Sequence, residues 1–447
     1  MRTTARTLLA ASIGVIMAAG TTQVMAQGFA LYEPDVATMG TAYAGAGASI
    51  ENATVVASNP AAMSRLDKIN VSAGNTLILA KSDIKDPAGT VPGTNKGDMV
   101  PRLVTGAAFM TVPHVFLDNL AVGVGIYAPF GLKTNYEDTF QGRTFGDKST
   151  VIVTSLQPSI SYNFTPTFSL GAGINFNHIE GVLTNGVVPG VTNTTQELKG
   201  SDNAIGYTVG ALFTPVPELN LGLTYHSKVD YTLHGSAKLE NVPVPGVPGV
   251  TFNAGTPANL DVTTPDSLEL AGVFKLTPTL DLKASVTRTR WSSIKTLSPS
   301  TQFTPDGIYT TPVLTGSLGA QVNAGILNTL NSAHSSEVLN LQDTNMYSIG
   351  ADWKALDQLT LRVGFGYDES PVRKEYRNVR LPVANRTIYA VGANYAFTKN
   401  LDMDISYNYL HEANANINRA SATQGVYQAN YQNSGHLIGA QLNYRWW

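Results

Sequence analysis

The chain has 447 residues, a net charge of −3 and no cysteine, which excludes a disulfide scaffold and argues against a nucleic-acid partner. Only 14% of its residues are charged, against about 25% in soluble domains, yet no apolar run beyond the amino terminus reaches the roughly 20 residues of a membrane helix. Low charge with 41 glycines and 19 tyrosines, and without such helices, describes an all-β transmembrane protein whose lipid-facing apolar residues alternate with polar lumen-facing ones.

In chain order, Arg2 and Arg6 precede an apolar run from Leu8 to Gly20, and Val24 and Ala26 flank Met25. A basic start, a short apolar core and a small residue before the cut predict a signal peptide over residues 1–26. The run is too short for a spanning anchor. Residues 27–65 are different: small residues dominate and the apolar ones fall at irregular spacing. Such a segment ahead of a wide barrel reads as a plug, or hatch, filling the lumen, with Gly28 and Phe29 at its amino-terminal end. Within it, Pro60 biases Asn59 towards extended backbone, and the Asn59 side chain is then free to cap backbone groups, so Asn59-Pro60-Ala61 is read either as a latch or as a simple turn.

Residues 66–447 carry repeated period-two alternation. Phe168, Leu170, Ala172, Ile174 and Phe176 interleave with Ser169, Gly171, Gly173 and Asn175, and Leu359, Leu361, Val363, Phe365 and Tyr367 interleave with Thr360, Arg362, Gly364 and Gly366. Six short connectors, such as "NFTPTF" and "FTKNL", alternate with seven long polar ones near 83–98, 137–148, 184–202, 237–261, 292–341, 371–385 and 414–430. The pattern predicts a 14-stranded antiparallel outer-membrane β-barrel with tight turns at one end and long extracellular loops at the other. The last strand, "HLIGAQLNYRWW", puts Ile438, Ala440, Leu442, Tyr444 and Trp446 on one face. It is expected to close against the first strand with its aromatic end at a membrane interface.

Two stretches break the pattern. In the third strand, "LAVGVGIYAPFGLKTNY", Pro129 and Gly131 flank Phe130; proline cannot donate to a ladder, and glycine in a strand often marks a bulge. Because unpaired backbone cannot face lipid, the break must open onto the lumen or be covered by the plug. It is either a side door or a bulge that curves the wall. In the loop 292–341, Val322, Ile326, Leu327, Leu330 and Ala333 fall at helical spacing, as a lid, a hydrophobic landing surface, or a cover for the barrel mouth.

The stretches "GFALYEP", "GTAYAGAGAS" and "ATVVASNPAAM", followed in order by "YHSKVDYTLHGSAKL", "TPDSLELAG", "RWSSI", "SPV" and "LPVANR", resemble the FadL-type family of outer-membrane long-chain fatty-acid and hydrocarbon transporters. The resemblance runs over essentially the whole mature chain. It implies a fourteen-stranded barrel with an amino-terminal hatch and a kinked third strand that opens laterally to the membrane.

Chemistry-bearing motifs are missing. There is no G-x-S-x-G elbow, "GVGIYA" and "GAGINF" lack the third glycine of a dinucleotide loop, and "HEANA" lacks the second histidine of a zinc motif. No catalytic residue, metal or cofactor is assigned. A general aqueous porin and a barrel hydrolase are the competing classes; the plug argues against the first and the absent motifs against the second. The sequence therefore predicts a passive channel in the Gram-negative outer membrane for hydrophobic molecules. The resemblance implies the substrate class: long-chain fatty acids are the first choice, because "LPVANR" resembles the family's pattern near its ligand pocket, and toluene- or xylene-type hydrocarbons the alternative. A carboxylate substrate wants a buried cation: Arg386 and Arg143 are the candidates, with Arg362, Arg373 and Lys374 also near strands or loops. The expected partners are the substrate and outer-membrane lipid with lipopolysaccharide around a monomer.

Overall fold

The computed structural model describes residues 30–446 except 32–33, 245, 312, 314–315 and 333–335. The predicted signal peptide, Gly28, Phe29 and Ala333 thus lie outside the described residues. Fourteen wall strands follow one another: β1 Ile69–Gly89, β2 Leu103–Val112, β3 Leu120–Asn135, β4 Lys148–Thr165, β5 Phe168–Asn185 and β6 Thr195–Val216. β7 runs in two lengths, Leu219–His226 and Val229–Pro243, and β8 in two, Thr251–Thr264 and Ser267–Thr277. Then come β9 Leu280–Thr289, β10 Thr344–Leu356, β11 Leu359–Asp368, β12 Arg386–Ala396, β13 Leu401–Glu412 and β14 Gly425–Trp446. Each pairs antiparallel with the next, and β1 pairs with β14 from Ile69 opposite Trp446 to Gly89 opposite Tyr427, closing the ring.

The period-two pattern sorts as expected. Leu170, Ile174, Phe176, Val363, Phe365, Ile438 and Leu442 are exposed on the outer face, while their interleaved neighbours Ser169, Asn175, Arg362 and Gln441 are buried inside. The structure differs from the sequence reading in the expected loops 184–202 and 237–261. Strand continues through much of both, since β6 begins at Thr195, β7 reaches Pro243 and β8 begins at Thr251. The physical reason is that these lengths project beyond the membrane, where Asp230, Thr232, His234, Asn259 and Asp261 face outward into water. The backbone ladder persists there, and Leu239, Phe252, Ala254, Ala258 and Leu260 alternate on the buried inner face, but Pro243, Pro248, Gly249 and Pro257 among them read as loop.

The hatch is a chain of short helical turns: α1 Val36–Met39, a 3₁₀ turn at Ala46–Ala48, α2 Val55–Ser58 and a 3₁₀ turn at Pro60–Arg65. Short helices leave most of their backbone groups unpaired, and the inner wall supplies partners. Gly45 N–H donates to Ser285 Oγ at 2.8 Å, Ala53 N–H to Ser72 Oγ at 3.2 Å and Val36 N–H to Gln441 Oε1 at 3.2 Å. Gln157 Nε2 donates to Val56 O at 2.6 Å. Where no side chain intervenes, the hatch backbone lies against bare wall: a Cβ on Gly364 would stand 2.0 Å from Thr41 C. The small and polar lumen positions are therefore a seat for the hatch.

Charge anchors that seat. Glu51 of the hatch meets Lys283 of β9 at 2.6 Å and Arg362 of β11 at 2.9 Å. Lys283 also meets Asp352 at 2.7 Å, and Arg362 meets Asp404 at 2.5 Å. Arg445 donates to Glu51 O at 3.0 Å and pairs with Asp402. Burial alone would raise the Glu51 pKa, but Lys283 and Arg362 outweigh it and hold the carboxyl below the usual carboxylate range. Removing one member of a buried network strands the others, at about 3–5 kcal/mol. Arg362→Met should therefore lower the urea midpoint of unfolding, followed by tryptophan fluorescence, by an amount equivalent to about 3–5 kcal/mol; an unchanged midpoint would mean that the network contributes nothing net.

Candidate functional site

The wall is incomplete between β2 and β3. β3 pairs with β2 only from Val122 to Ile126, so the β2 edge from Leu103 to Ala107 and the β3 edge from Tyr127 onward are not paired with each other. On its other edge β3 shifts register against β4 between Tyr127 and Phe130. This is where Pro129, Phe130 and Gly131 lie. Pro129 has no N–H to give, and its carbonyl accepts from Leu31 N–H at 2.9 Å, while Ala30 makes an isolated antiparallel bridge with Phe130. The break is thus covered from within by the start of the hatch, as burial of unpaired backbone requires.

Asn59 is fully buried and its backbone is extended, with φ −161°. Its Oδ1 accepts from Ala61 N–H at 3.0 Å. Its Nδ2 donates to Gly47 O at 2.6 Å and to Ala211 O of β6 at 3.0 Å. Pro60 begins the 3₁₀ turn at its first position, where a missing N–H costs nothing. Ala61 O accepts from Ser161 Oγ and Ser169 Oγ of the wall at 3.0 and 2.9 Å. One side chain therefore ties two hatch turns and the barrel wall together.

Three of the cavities among the described residues follow one another along the lumen. The outermost, about 750 Å³, sits under helix α3 (Gly316–Ser332) and is lined by Val244, Phe252, Phe303, Val322, Ile326 and Leu198. The apolar face read from the sequence is turned this way, with Ile326 buried against Val244 and Phe252, and Val322, Leu327 and Leu330 half-buried beside it. The next, about 80 Å³, is walled by Leu132, Val151, Ile179, Leu198, Leu260 and Leu381. The innermost, about 190 Å³, lies between the hatch and the β3 break and touches Ala30, Leu31, Tyr127, Phe130, Val153 and Asp35. Burial pushes the Asp35 carboxyl up to about 6, with Asp404 and Glu51 adding to the effect. Leu198 is common to the first two cavities. Val153, Ile179, Phe130 and Val151 form one apolar cluster between the second and third.

The expected cations are dispersed. Arg386 is buried against Glu412 at 3.4 Å and Asp368 at 3.8 Å and lines, with Ile78 and Leu410, a separate cavity of about 50 Å³ rather than the Leu-lined one. Arg143 is buried with its Nη2 donating to Thr194 O at 3.3 Å and lines none of these three cavities. Arg362 belongs to the hatch network, and Arg373 and Lys374 are exposed on a loop. The apolar cavity is instead edged by Arg380, paired with Glu337 at 3.3 Å and donating to Thr184 O at 2.9 Å. Sequence reasoning passed over it, although it directly precedes "LPVANR" and Leu381 beside it lines the same cavity. Glu51 and Lys283 were likewise overlooked; the charged inward positions of "LDLKASV" and "LTLRVGF" were the available signal.

The profile of a family described as outer membrane protein transport protein (OMPP1/FadL/TodX) matches residues 17–446. Outer membrane protein P1 of Haemophilus influenzae is 28% identical, aligned over 96% of this chain and 97% of its own length. The long-chain fatty acid transport protein of Escherichia coli strain K12 is 25% identical, over 97% of each chain. Among solved structures, a Pseudomonas aeruginosa FadL homologue superposes with a TM-score of 0.77 at 21% identity, covering 93% of this chain and 99% of its own. The Pseudomonas putida toluene transporter TodX does so with a TM-score of 0.64 at 16% identity, covering 94% and 99%. At such identities these two structures share the fold.

The seat of Asn59 can be tested directly. A Cβ on Gly210 would stand 1.9 Å from Asn59 Oδ1, so Gly210→Ala should displace the side chain much as Asn59→Ala removes it. Both variants should keep the heat-modifiable gel migration of a closed barrel while raising ionic current in planar bilayers several-fold, because the hatch no longer seals; wild-type current in both would make the contact dispensable.

Proposed function

The chain belongs to the OMPP1/FadL/TodX family of outer membrane transport proteins, and on that premise we propose that it is a passive channel admitting hydrophobic molecules, long-chain fatty acids first, through the outer membrane of a Gram-negative cell. The observation that carries this reading is the sequence of apolar spaces from the loop surface through Leu198 to the Leu-lined cavity, and through Val153 and Phe130 to the interrupted β3 wall. An apolar solute is received under α3, loses its water in the second cavity and reaches the hatch cavity without meeting an open aqueous path. The Ala30–Leu31 bridge acts as the shutter of the β3 break, and Asn59-Pro60-Ala61 as the latch holding the hatch against the wall. Release through the wall delivers the solute into the bilayer core. No nucleotide-binding loop is present in the sequence, so the gradient drives the flow. The working unit is read as a monomer surrounded by phospholipid and lipopolysaccharide, and as a channel rather than an enzyme.

The choice of fatty acid rests on Arg380 at the edge of the apolar cavity, where a guanidinium can receive a carboxylate once Glu337 yields. The aromatic-hydrocarbon alternative draws on the fold shared with TodX. Binding measured with oleate and with toluene separates them. Oleate should bind, Arg380→Met should weaken it about tenfold or more, a loss of about 1.4 kcal/mol, and toluene binding should not respond to that change. Toluene binding without oleate binding would reverse the choice. Loss of the gene should slow growth on a hydrophobic carbon source and leave growth on sugars unchanged.

The shutter has its own test. Cysteines at Ala30 and Phe130, in this cysteine-free chain, sit opposite each other. Their oxidation should stop uptake and reduction should restore it. Uptake that persists through the closed disulfide would direct the path straight down the barrel instead.

A further inference from the structure

A second seam interrupts the wall, between β6 and β7. The two strands are in register from Thr195 to Ser201 of β6, opposite Glu240 to His234, and again from Thr208 opposite His226. Between these stretches, residues 202–207 of β6 and 227–233 of β7 share no ladder register. An ordinary bulge displaces one residue and the ladder resumes; this gap is several residues long. Its edges are capped by side chains. Asp202 Oδ2 accepts from Thr232 N–H at 2.8 Å, and Ser227 Oγ accepts from Tyr207 N–H at 2.9 Å. One backbone bond, Ser227 N–H to Tyr207 O at 2.9 Å, closes the lower corner. Backbone groups with partners of their own have no need to pair across the seam.

The seam lies where the outer surface changes character. On its β6 edge Ile205 and Tyr207 are exposed, continuing into Val209 of the apolar belt just below, and Tyr207 and Tyr225 stand 6.0 Å apart between ring centroids as an interfacial aromatic pair. On its β7 edge Lys228 and Asp230, both well exposed, pair at 3.0 Å. This is the level at which lipid head groups give way to acyl chains. The hatch cavity reaches the same place from inside, with Gly206, Tyr207, Ser227 and Val229 among its lining residues. The seam is filled at Gly206, where a Cβ would stand 2.7 Å from Val229 Cγ2 and 3.1 Å from Ser227 Oγ, so the isopropyl group of Val229 rests on the bare glycine beside Ser227.

We propose that this seam is a second port, through which slender apolar molecules already dissolved in the outer leaflet enter the hatch cavity, with Val229 as its gate. The proposal rests on the channel reading above and adds a route to it. A molecule with an acyl chain and a polar end lies in the leaflet with that end at the level of Lys228 and Ser227. Its chain can enter past Val229 sideways, and the neutral hydrogen-bonding groups Asn177, Thr208 and Ser227 receive the polar end inside. The loop surface under α3 serves molecules arriving from water; the seam serves those that have partitioned into lipid.

The test uses the full chain with Trp353, Trp446 and Trp447 changed to phenylalanine, leaving Trp291, which packs edge-on against Phe130 of the hatch cavity with ring centroids 6.3 Å apart. Quenching of Trp291 by dibromostearate reports arrival. In one arm the protein sits in nanodiscs whose lipid carries the probe; in the other it sits in amphipol, with the probe supplied on albumin and no bilayer present. With Gly206→Cys and Val229→Cys added, oxidation should slow quenching several-fold in nanodiscs, leave it unchanged in amphipol, and be reversed by reductant. Val229→Ala without the cysteines should speed the nanodisc arm alone. Equal nanodisc rates before and after oxidation, or equal slowing in both arms, would overturn the port while leaving the channel intact. Absence of quenching from either source in the chain without cysteines would overturn the channel reading and the port with it.

Discussion

Within hydrocarbon no water is available to a peptide group, so every backbone N–H and C=O must find its partner in the protein. Everything else in this structure is arranged around that demand. It forces the ring to close, and the antiparallel pairing of β1 with β14 from Ile69–Trp446 upward meets it. It also makes any gap in the ladder conspicuous, because a gap must be capped. At the β2–β3 break the cap comes from the hatch, as Leu31 N–H to Pro129 O. At the β6–β7 seam it comes from Asp202 and Ser227 of the wall itself.

The same demand explains the lumen. A hatch made of short helical turns brings many unpaired backbone groups into the barrel, and the wall answers with Ser72, Ser285, Gln157 and Gln441. Asn59 does the converse, sending one hatch side chain to a wall carbonyl. Glu51 adds charge to this scheme. It draws Lys283 and Arg362 from separate strands onto one carboxylate, and Asp352 and Asp404 keep those cations from being in excess. A polar lower lumen that is occupied in this way leaves the apolar cavities above it as the space open to a solute.

Hydrophobic passage and a sealed barrel are competing requirements. An open bore wide enough for a fatty acid would also pass water and ions. Here the hatch fills the lower bore, and on the proposed path the apolar spaces lead sideways to places where the wall is interrupted. Neutral surfaces such as Leu132, Ile179 and Leu260 offer ions nothing in exchange for their hydration.

The barrel was legible in the sequence because lipid and lumen are different solvents on opposite faces of each strand, and a period of two records that difference residue by residue. The strand number, the closure of "HLIGAQLNYRWW" on the first strand and the break at Pro129–Gly131 were legible for the same kind of reason: each is a local departure in pattern or backbone chemistry. The strand extensions at Thr195 and Thr251 were not, since the polar run at 195–197 and the prolines and glycines around Thr251 read as loop, although Leu239, Phe252 and Leu260 alternate on a buried inner face. Nor was the pairing of charges. Arg386 and Arg380 lie six positions apart in one segment, yet one is held by Glu412 and Asp368 and the other by Glu337 at the edge of a different cavity. The β6–β7 seam was equally silent, because no proline marks it. It exists through the relative placement of two strands and the seating of Val229 on Gly206. Sequence by itself determined which residues face lipid and that the chain must close. Which cation meets which carboxylate, and where the wall opens, was decided only by tertiary structure, because such contacts join residues whose separation along the chain carries no periodic signal.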